Sequence, residues 1–279
     1  MSSPRSRLFL IVISMVVVQL IALAGPQEEI PRSIVSDDFV KNRPRAKGKG
    51  TKPRPRVYRL TSAPRTRPAS ESDSDTWSLG VTIWKLQGGR SRQLERVSKR
   101  VEADTKFHEG DLLRISIESP RTGYLYIVDR DWFTNGSGGE TNLIFPARGE
   151  DNRFKPGRLI DIPTETEASF KATPKANQAG EMLTIIVTSS PLQLPLSHDP
   201  LPITNTQLSD WEKRWSAVTD RYEMNDGAGQ TRTIEEQQAA ATGGTRQLTR
   251  DDPSPQTIYR LVPKNRDGVL FNLMLSYVR

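Results

Sequence analysis

A mainly β fold, a β-sandwich with a small helical insertion, is what this sequence predicts. Three observations carry that prediction. Short runs alternate apolar and polar residues with period two, and turn residues separate them at short intervals. The glycine-marked strand–helix alternation of a nucleotide-binding α/β fold does not occur. The spacing suits two packed antiparallel sheets, with an immunoglobulin-like arrangement among those allowed.

The elements follow in order. Trp77, Leu79, Val81 and Ile83 share one parity, and Ser78, Gly80 and Thr82 the other, which predicts a half-buried strand. Leu113, Ile115 and Ile117 alternate with Arg114, Ser116 and Glu118 in the same way. Gly110-Asp111 opens that strand, and residues 119–123 end it with turn chemistry. Residues 124–128 are apolar on both faces and predict a central strand. Asp129 then reads as a strand end, before the turn at residues 135–139. Residues 142–145 and 158–162 are short strands, and residues 183–187 a second central one.

Pro191, Pro195, Pro200 and Pro202 then deny a regular ladder. A helical insertion at about 203–245 follows. Thr206 or Ser209 could cap a helix through the Trp211, Trp215, Val218 stripe. A weaker helix spans residues 233–241, with Glu235 and Glu236 in its first turn and Gly243-Gly244 as its stop. Two strands close the chain at 257–262 and 269–278. Asp267-Gly268 between them is a hairpin signal, and both are expected to rejoin the sandwich.

Ahead of the sandwich, residues 1–24 read as an export signal. Arg5 and Arg7 precede an apolar run from Leu8 to Ala24 that ends Ala22-Leu23-Ala24. Its 17 residues are short for a spanning helix, so cleavage is the first reading and an uncleaved anchor the second. Residues 25–75 read as a disordered, basic, proline-rich linker. From Lys41 to Arg67 there are eleven Lys and Arg, no acid, and few apolar residues to offset ordering entropy. Lys41, Arg43, Arg45, Lys47, Lys49, Lys52, Arg54 and Arg56 are its candidate contacts to an anionic surface. The sandwich domain is then residues 76–279. Residues 71–279 hold 26 basic and 29 acidic side chains, so the net charge of +7 belongs to the linker. A domain balanced in this way is not one that grips nucleic acid.

The chemistry is mostly one of exclusion. No cysteine is present, which removes disulfides, thiolate metal sites and a cysteine nucleophile. His108 and His198 are the only histidines, and no serine sits in a nucleophile elbow. No phosphate-cradling glycine loop occurs, and no cofactor is expected. Asp129, Asp131 and Glu140 faintly imitate a calcium loop, but Phe133 and Thr134 occupy positions that such a loop gives to a ligand and to glycine. Trp77, Trp84, Tyr124, Tyr126, Trp132 and Phe133 could stack a sugar or peptide, or simply fill the core.

Several segments together carry a resemblance. They are residues 79–86 (Leu-Gly-Val-Thr-Ile-Trp-Lys-Leu), 107–117 (Phe-His-Glu-Gly-Asp before a strand), 123–127 (Gly-Tyr-Leu-Tyr-Ile), 143–146 (Leu-Ile-Phe-Pro) and 157–163. Over roughly residues 77–190 the chain resembles the bacterial family called domain of unknown function 4384. The resemblance implies a small β-rich module of exported or surface-linked proteins. It supplies no catalytic residues, and implies an accessory or recognition role.

The expected function is therefore a non-catalytic exported binding or interaction module of the bacterial envelope, periplasmic or extracellular. Its partner would be an envelope protein, anionic lipid or cell-wall polymer. A membrane would be reached only through an uncleaved N-terminus or the basic linker. A carboxylate-dependent hydrolase of envelope polysaccharide and a structural spacer are the alternatives.

Overall fold

Two sheets stack face to face, because the inward parity of nearly every strand is aliphatic or aromatic. The structure is a computed structural model that describes residues 39–45, 57–61, 76–87, 97–165, 168–233, 236 and 245–278. The expected signal at 1–24 and most of the expected linker lie outside those residues.

The nine-stranded sheet runs β1 (Tyr58–Leu60), β13 (Val218–Met224), β15 (Thr257–Val262), β2 (Trp77–Gln87), β5 (Leu112–Glu118), β9 (Arg158–Ile162), β14 (Thr245–Gln247). To it are added β3 (Val97–Val101), on β2, and β10 (Phe170–Lys171), on β5. The seven-stranded sheet runs β12 (Leu201–Pro202), β7 (Gly138–Phe145), β6 (Gly123–Phe133), β11 (Gln178–Thr188), β16 (Gly268–Tyr277), β4 (Lys106–Phe107), with β8 (Arg153–Phe154) on β6. Pairing is antiparallel except between β16 and β4. The fold is thus a sandwich without a closed barrel. Nine and seven strands exceed the seven to nine in total of an immunoglobulin domain.

The core between the sheets takes the parity read from the sequence. Leu79, Val81 and Ile83 from β2, and Ile115 and Ile117 from β5, meet Leu125, Ile127, Ile185, Val187 and Leu273 from the other sheet. The expected central strands are central: β6 lies between β7 and β11, and β11 between β6 and β16.

Both outer faces are covered as well. Tyr126, Val128, Ile186 and Leu270 on the seven-stranded sheet pack under the single helix described in full, α1 (Asn205–Trp215), and under the proline-rich segment before it. Leu208 and Trp215 are the buried residues of α1. Its cap is Thr204, whose hydroxyl accepts from the Gln207 amide at 3.2 Å, not Thr206 or Ser209. The helix also stops at Trp215, so Val218 of the expected stripe starts β13. In the second expected helix, Thr233 and Glu236 exchange backbone-to-side-chain bonds of 2.8 and 3.1 Å, a capping box. Residues 234, 235 and 237–244 lie outside the described residues.

The closing strands rejoin the sandwich, but not as a hairpin. β15 pairs with β13 and β2, whereas β16 pairs with β11 and β4. The Asp267-Gly268 turn is therefore a crossing between sheets. Nine apolar side chains on these strands are buried, and burial in two sheets satisfies more of them than a two-stranded ribbon could.

The sandwich also begins earlier than residue 76. β1 lies within the expected linker, and Tyr58 is fully buried, with its hydroxyl donating to the Pro255 carbonyl at 2.8 Å. Residues 39–45 form a strap over the outer face of the nine-stranded sheet. Phe39 packs with Tyr58, Tyr222, Met224 and Ile258. The fit is close: a Cβ on Gly80 would stand 2.8 Å from the Phe39 ring, and one on Gly157 2.5 Å from Pro44.

Candidate functional site

Three places on the fold hold chemistry. The first contains the acids singled out in the sequence. β6 does not end at Asp129 but runs on to Phe133, so Asp129 and Asp131 continue the inward parity of Leu125 and Ile127. They lie at one end of the sandwich. Across the ladder Asp131 is opposite Glu181, and Asp129 opposite Leu183. Asp131 accepts from Lys175 Nζ at 2.7 Å and Gln178 Nε2 at 2.9 Å. Glu140 is exposed and lies 3.7 Å from Lys175 Nζ.

Asp129 turns instead to Glu181. Burial, then the Glu181 carboxylate, then Asp131, push the Asp129 carboxyl up to about 7. Burial also raises Glu181, against the Tyr277 hydroxyl that donates to it at 3.0 Å. One oxygen on each, Asp129 Oδ1 and Glu181 Oε2, is buried without a donor. One proton held between the two carboxyls answers both facts. Among the described residues no group of acids and histidines could hold a metal ion. Of the three candidate acids, Asp129 is engaged with Glu181, and Asp131 and Glu140 with Lys175. Glu181 shares the inward parity of Leu183, Ile185 and Val187, but its place beside Asp129 and Asp131 follows only from the strand register.

This pair predicts a pH dependence of stability. The folded Asp129 keeps a proton that the unfolded chain, with its ordinary value of 3.8, has already lost. The pair's own contribution to stability should thus be greatest below about pH 4 and fall as pH rises to about 7, with little further change above. Asp129→Asn should flatten that slope and be more stable than wild type at pH 8, by on the order of 2–3 kcal/mol. Urea denaturation of both proteins across this range is the measurement. Parallel profiles would remove the shared proton.

The second place is the outer face of the nine-stranded sheet. Arg114, Ser116 and Glu118 read as solvent-facing but are buried, at 3%, 2% and 3% exposure. The strap, Arg232 and the carbonyls of residues 249–254 cover them with a charge network. Trp84 Nε1 donates to Ser116 Oγ at 2.7 Å, and Ser116 Oγ donates to Asp161. Arg232 pairs with Asp161 at 3.3 Å and lies 4.5 Å over the Trp84 ring, which Arg100 also approaches, at 5.1 Å. Glu118 takes Arg43, through Nη2 at 2.5 Å and Nε at 3.0 Å. Arg43 also donates to the Asp252 carbonyl at 2.9 Å. Arg43 is therefore no contact for an anionic surface, because its guanidinium is spent inside the fold. Of the other candidate contacts, Lys41 and Arg45 are exposed, while Lys47, Lys49, Lys52, Arg54 and Arg56 lie outside the described residues.

The third place is a cleft of about 240 Å³ beside β12, where the ends of β7 and β9 meet the proline-rich segment. Phe145, Pro146, Pro163, Phe170 and Leu196 wall it. Glu150, Glu165 and Asp199 are its acids, and none of the described residues lining it is Lys or Arg. Glu150 holds the wall together by accepting from the Ala147 amide at 2.5 Å and from the Thr164 hydroxyl. His198 is here, yet Ser197 Oγ donates to the Asp199 carbonyl at 2.7 Å, not to the imidazole. No sequence motif announces this cleft, because four separate segments build it. Of the aromatics, Trp77 and Tyr126 fill buried clusters and Trp84 lies buried under Arg232 and Arg100, so none of the three is open to a ligand.

These features define a class: a two-sheet β-sandwich, covered on both outer faces, with one acid-rimmed cleft at a loop junction. Within it, residues 106–191 match the family described as Domain of unknown function (DUF4384). The match spans β4 to β11 and leaves β2, β15 and β16 outside it. No curated protein and no solved structure matches the chain.

Proposed function

We propose that this chain is a non-catalytic binding module of the bacterial envelope, exported through its N-terminal apolar run. The observation that carries this reading is the cleft beside β12. Its apolar walls and few convergent polar groups are the usual make-up of a binding site, and Ser197 and His198 do not form a nucleophile–base pair in it. A photo-cross-linking residue at Leu196 should capture an envelope component in intact cells, identified by mass spectrometry. The same group at exposed Val97, on β3, should not. Identical products from both positions would sink the reading.

The hydrolase reading draws on a separate observation, the Asp129–Glu181 pair with its raised carboxyl. Such a pair at a cleft would suit acid–base work, but the cleft lies beside β12, away from it. Purified cell-wall material should remain intact with the wild-type protein. Hydrolysis that Asp129→Asn abolishes would replace binding by catalysis.

The basic segment adds a second contact, to anionic lipid or cell-wall polymer, through Lys41, Arg45, Lys47, Lys49, Lys52, Arg54 and Arg56. Each cation near an anionic surface contributes on the order of 1 kcal/mol. Co-sedimentation with anionic vesicles should be strong in 0.1 M salt and weak in 1 M, where the screening length drops from about 10 Å to about 3 Å. Substituting these seven residues by Gln should abolish it. Undiminished sedimentation of that variant would assign the contact to the sandwich.

A further inference from the structure

We infer that the cleft beside β12 takes a cationic, proline-rich segment of a partner polypeptide, an inference that rests on the binding-module reading above. Three observations on the fold select that chemistry.

The first is charge. Glu165 and Asp199 are exposed on the rim, Glu150 lies within, and among the described residues no Lys or Arg side chain lines the cleft. Arg114 reaches the wall from behind, but it donates to the Pro163 and Glu165 carbonyls, at 2.8 and 3.4 Å, and leaves the rim carboxylates to an incoming cation. The second is the wall. Phe170 and Pro163, half-buried, and Pro200, exposed, give flat, rigid, apolar faces. Faces of this kind seat a polyproline II segment, which arrives already extended and loses little entropy on docking.

The third is the sheet edge. β12 borders the cleft and is the outermost strand of its sheet. A peptide that joined it as a further strand would need amide donors, and Pro200 and Pro202 have none. A proline-rich segment has little ladder to offer and needs little in return. Alternating cations on such a segment would meet the two rim carboxylates while its prolines lie on the wall.

The test uses a labelled peptide with two repeats of Lys-Pro-Arg-Pro-Arg, the sequence of residues 52–56, which has this chemistry. Binding to the full chain is followed by fluorescence anisotropy. Wild type should bind, more weakly as salt rises. The rim double variant Glu165→Gln/Asp199→Asn should bind about tenfold more weakly, since two exposed ion pairs, each of modest strength, are lost together. Both rim residues are exposed, so the variant should fold normally. A peptide with Ala for Pro should also bind more weakly. Absence of binding, or equal binding by wild type and variant, overturns the inference. Capture of an envelope component at Leu196 alongside such a failure would leave the binding module standing and remove only the cationic, proline-rich partner. Failure of both experiments would remove both.

Discussion

Removal of residues 257–279 should abolish folding. β15 lies between β13 and β2, and β16 between β11 and β4, so the deletion splits both sheets at once. It also removes nine buried apolar side chains: Ile258, Tyr259, Leu261, Val269, Leu270, Phe271, Leu273, Leu275 and Tyr277. At about 1.5–3 kcal/mol each, they match or exceed the ~5–15 kcal/mol by which a domain is stable. The fragment 106–191, the segment that matches the family, should fail for the same reason. Within it β5 lacks β2, and β11 lacks β16. Circular dichroism and thermal melting test both. A soluble fragment ending near residue 190 that melts cooperatively would show that the two last strands are accessory.

Arg43→Met should cost roughly 3–5 kcal/mol, a large share of the total, because it leaves Glu118 buried without its counter-charge. The two side chains are only 1% and 4% exposed, so water cannot take over from the guanidinium. The double variant Arg43→Met/Glu118→Leu should recover much of the loss, since the second change removes the orphaned charge. Urea denaturation at neutral pH measures both. A single variant within about 1 kcal/mol of wild type would mean that the Arg43–Glu118 pair adds little to the fold.

Much of the architecture was legible before the structure. The expected strands at 158–162 and 257–262 have those bounds, and the inward parities of β2 and β5 hold throughout. Period-two alternation reports which side of a strand meets the core, and that is decided locally. Eight strands escaped it: the two-residue β4, β8, β10 and β12, and β1, β3, β13 and β14. β1 and β14 are three residues long, and β3 (Val-Ser-Lys-Arg-Val) and β13 (Val-Thr-Asp-Arg-Tyr-Glu-Met) carry charges that mimic loop or helix. Of the acid cluster, Asp129 and Asp131 stood out as a motif, but their partner Glu181 lies 50 residues on and is joined to them only by register.

By itself, the sequence determined the fold class, the inward faces of the main strands, and the absence of thiol chemistry and of any phosphate-cradling glycine loop. Each of these depends on composition or on neighbours a few residues apart. The tertiary structure alone decided where the second face of each strand goes. Arg114, Ser116 and Glu118 carry the pattern of a solvated face, and the same pattern suits a buried one once Arg43 (75 residues before Glu118), Asp161, and the carbonyls of Pro163 and Glu165 meet these side chains. Polar groups accept burial when every charge is paired, and pairing is a property of segments that meet only in the folded chain. The cleft is decided in the same way: its carboxylates and prolines come from four segments, and no spacing along the chain records that they meet.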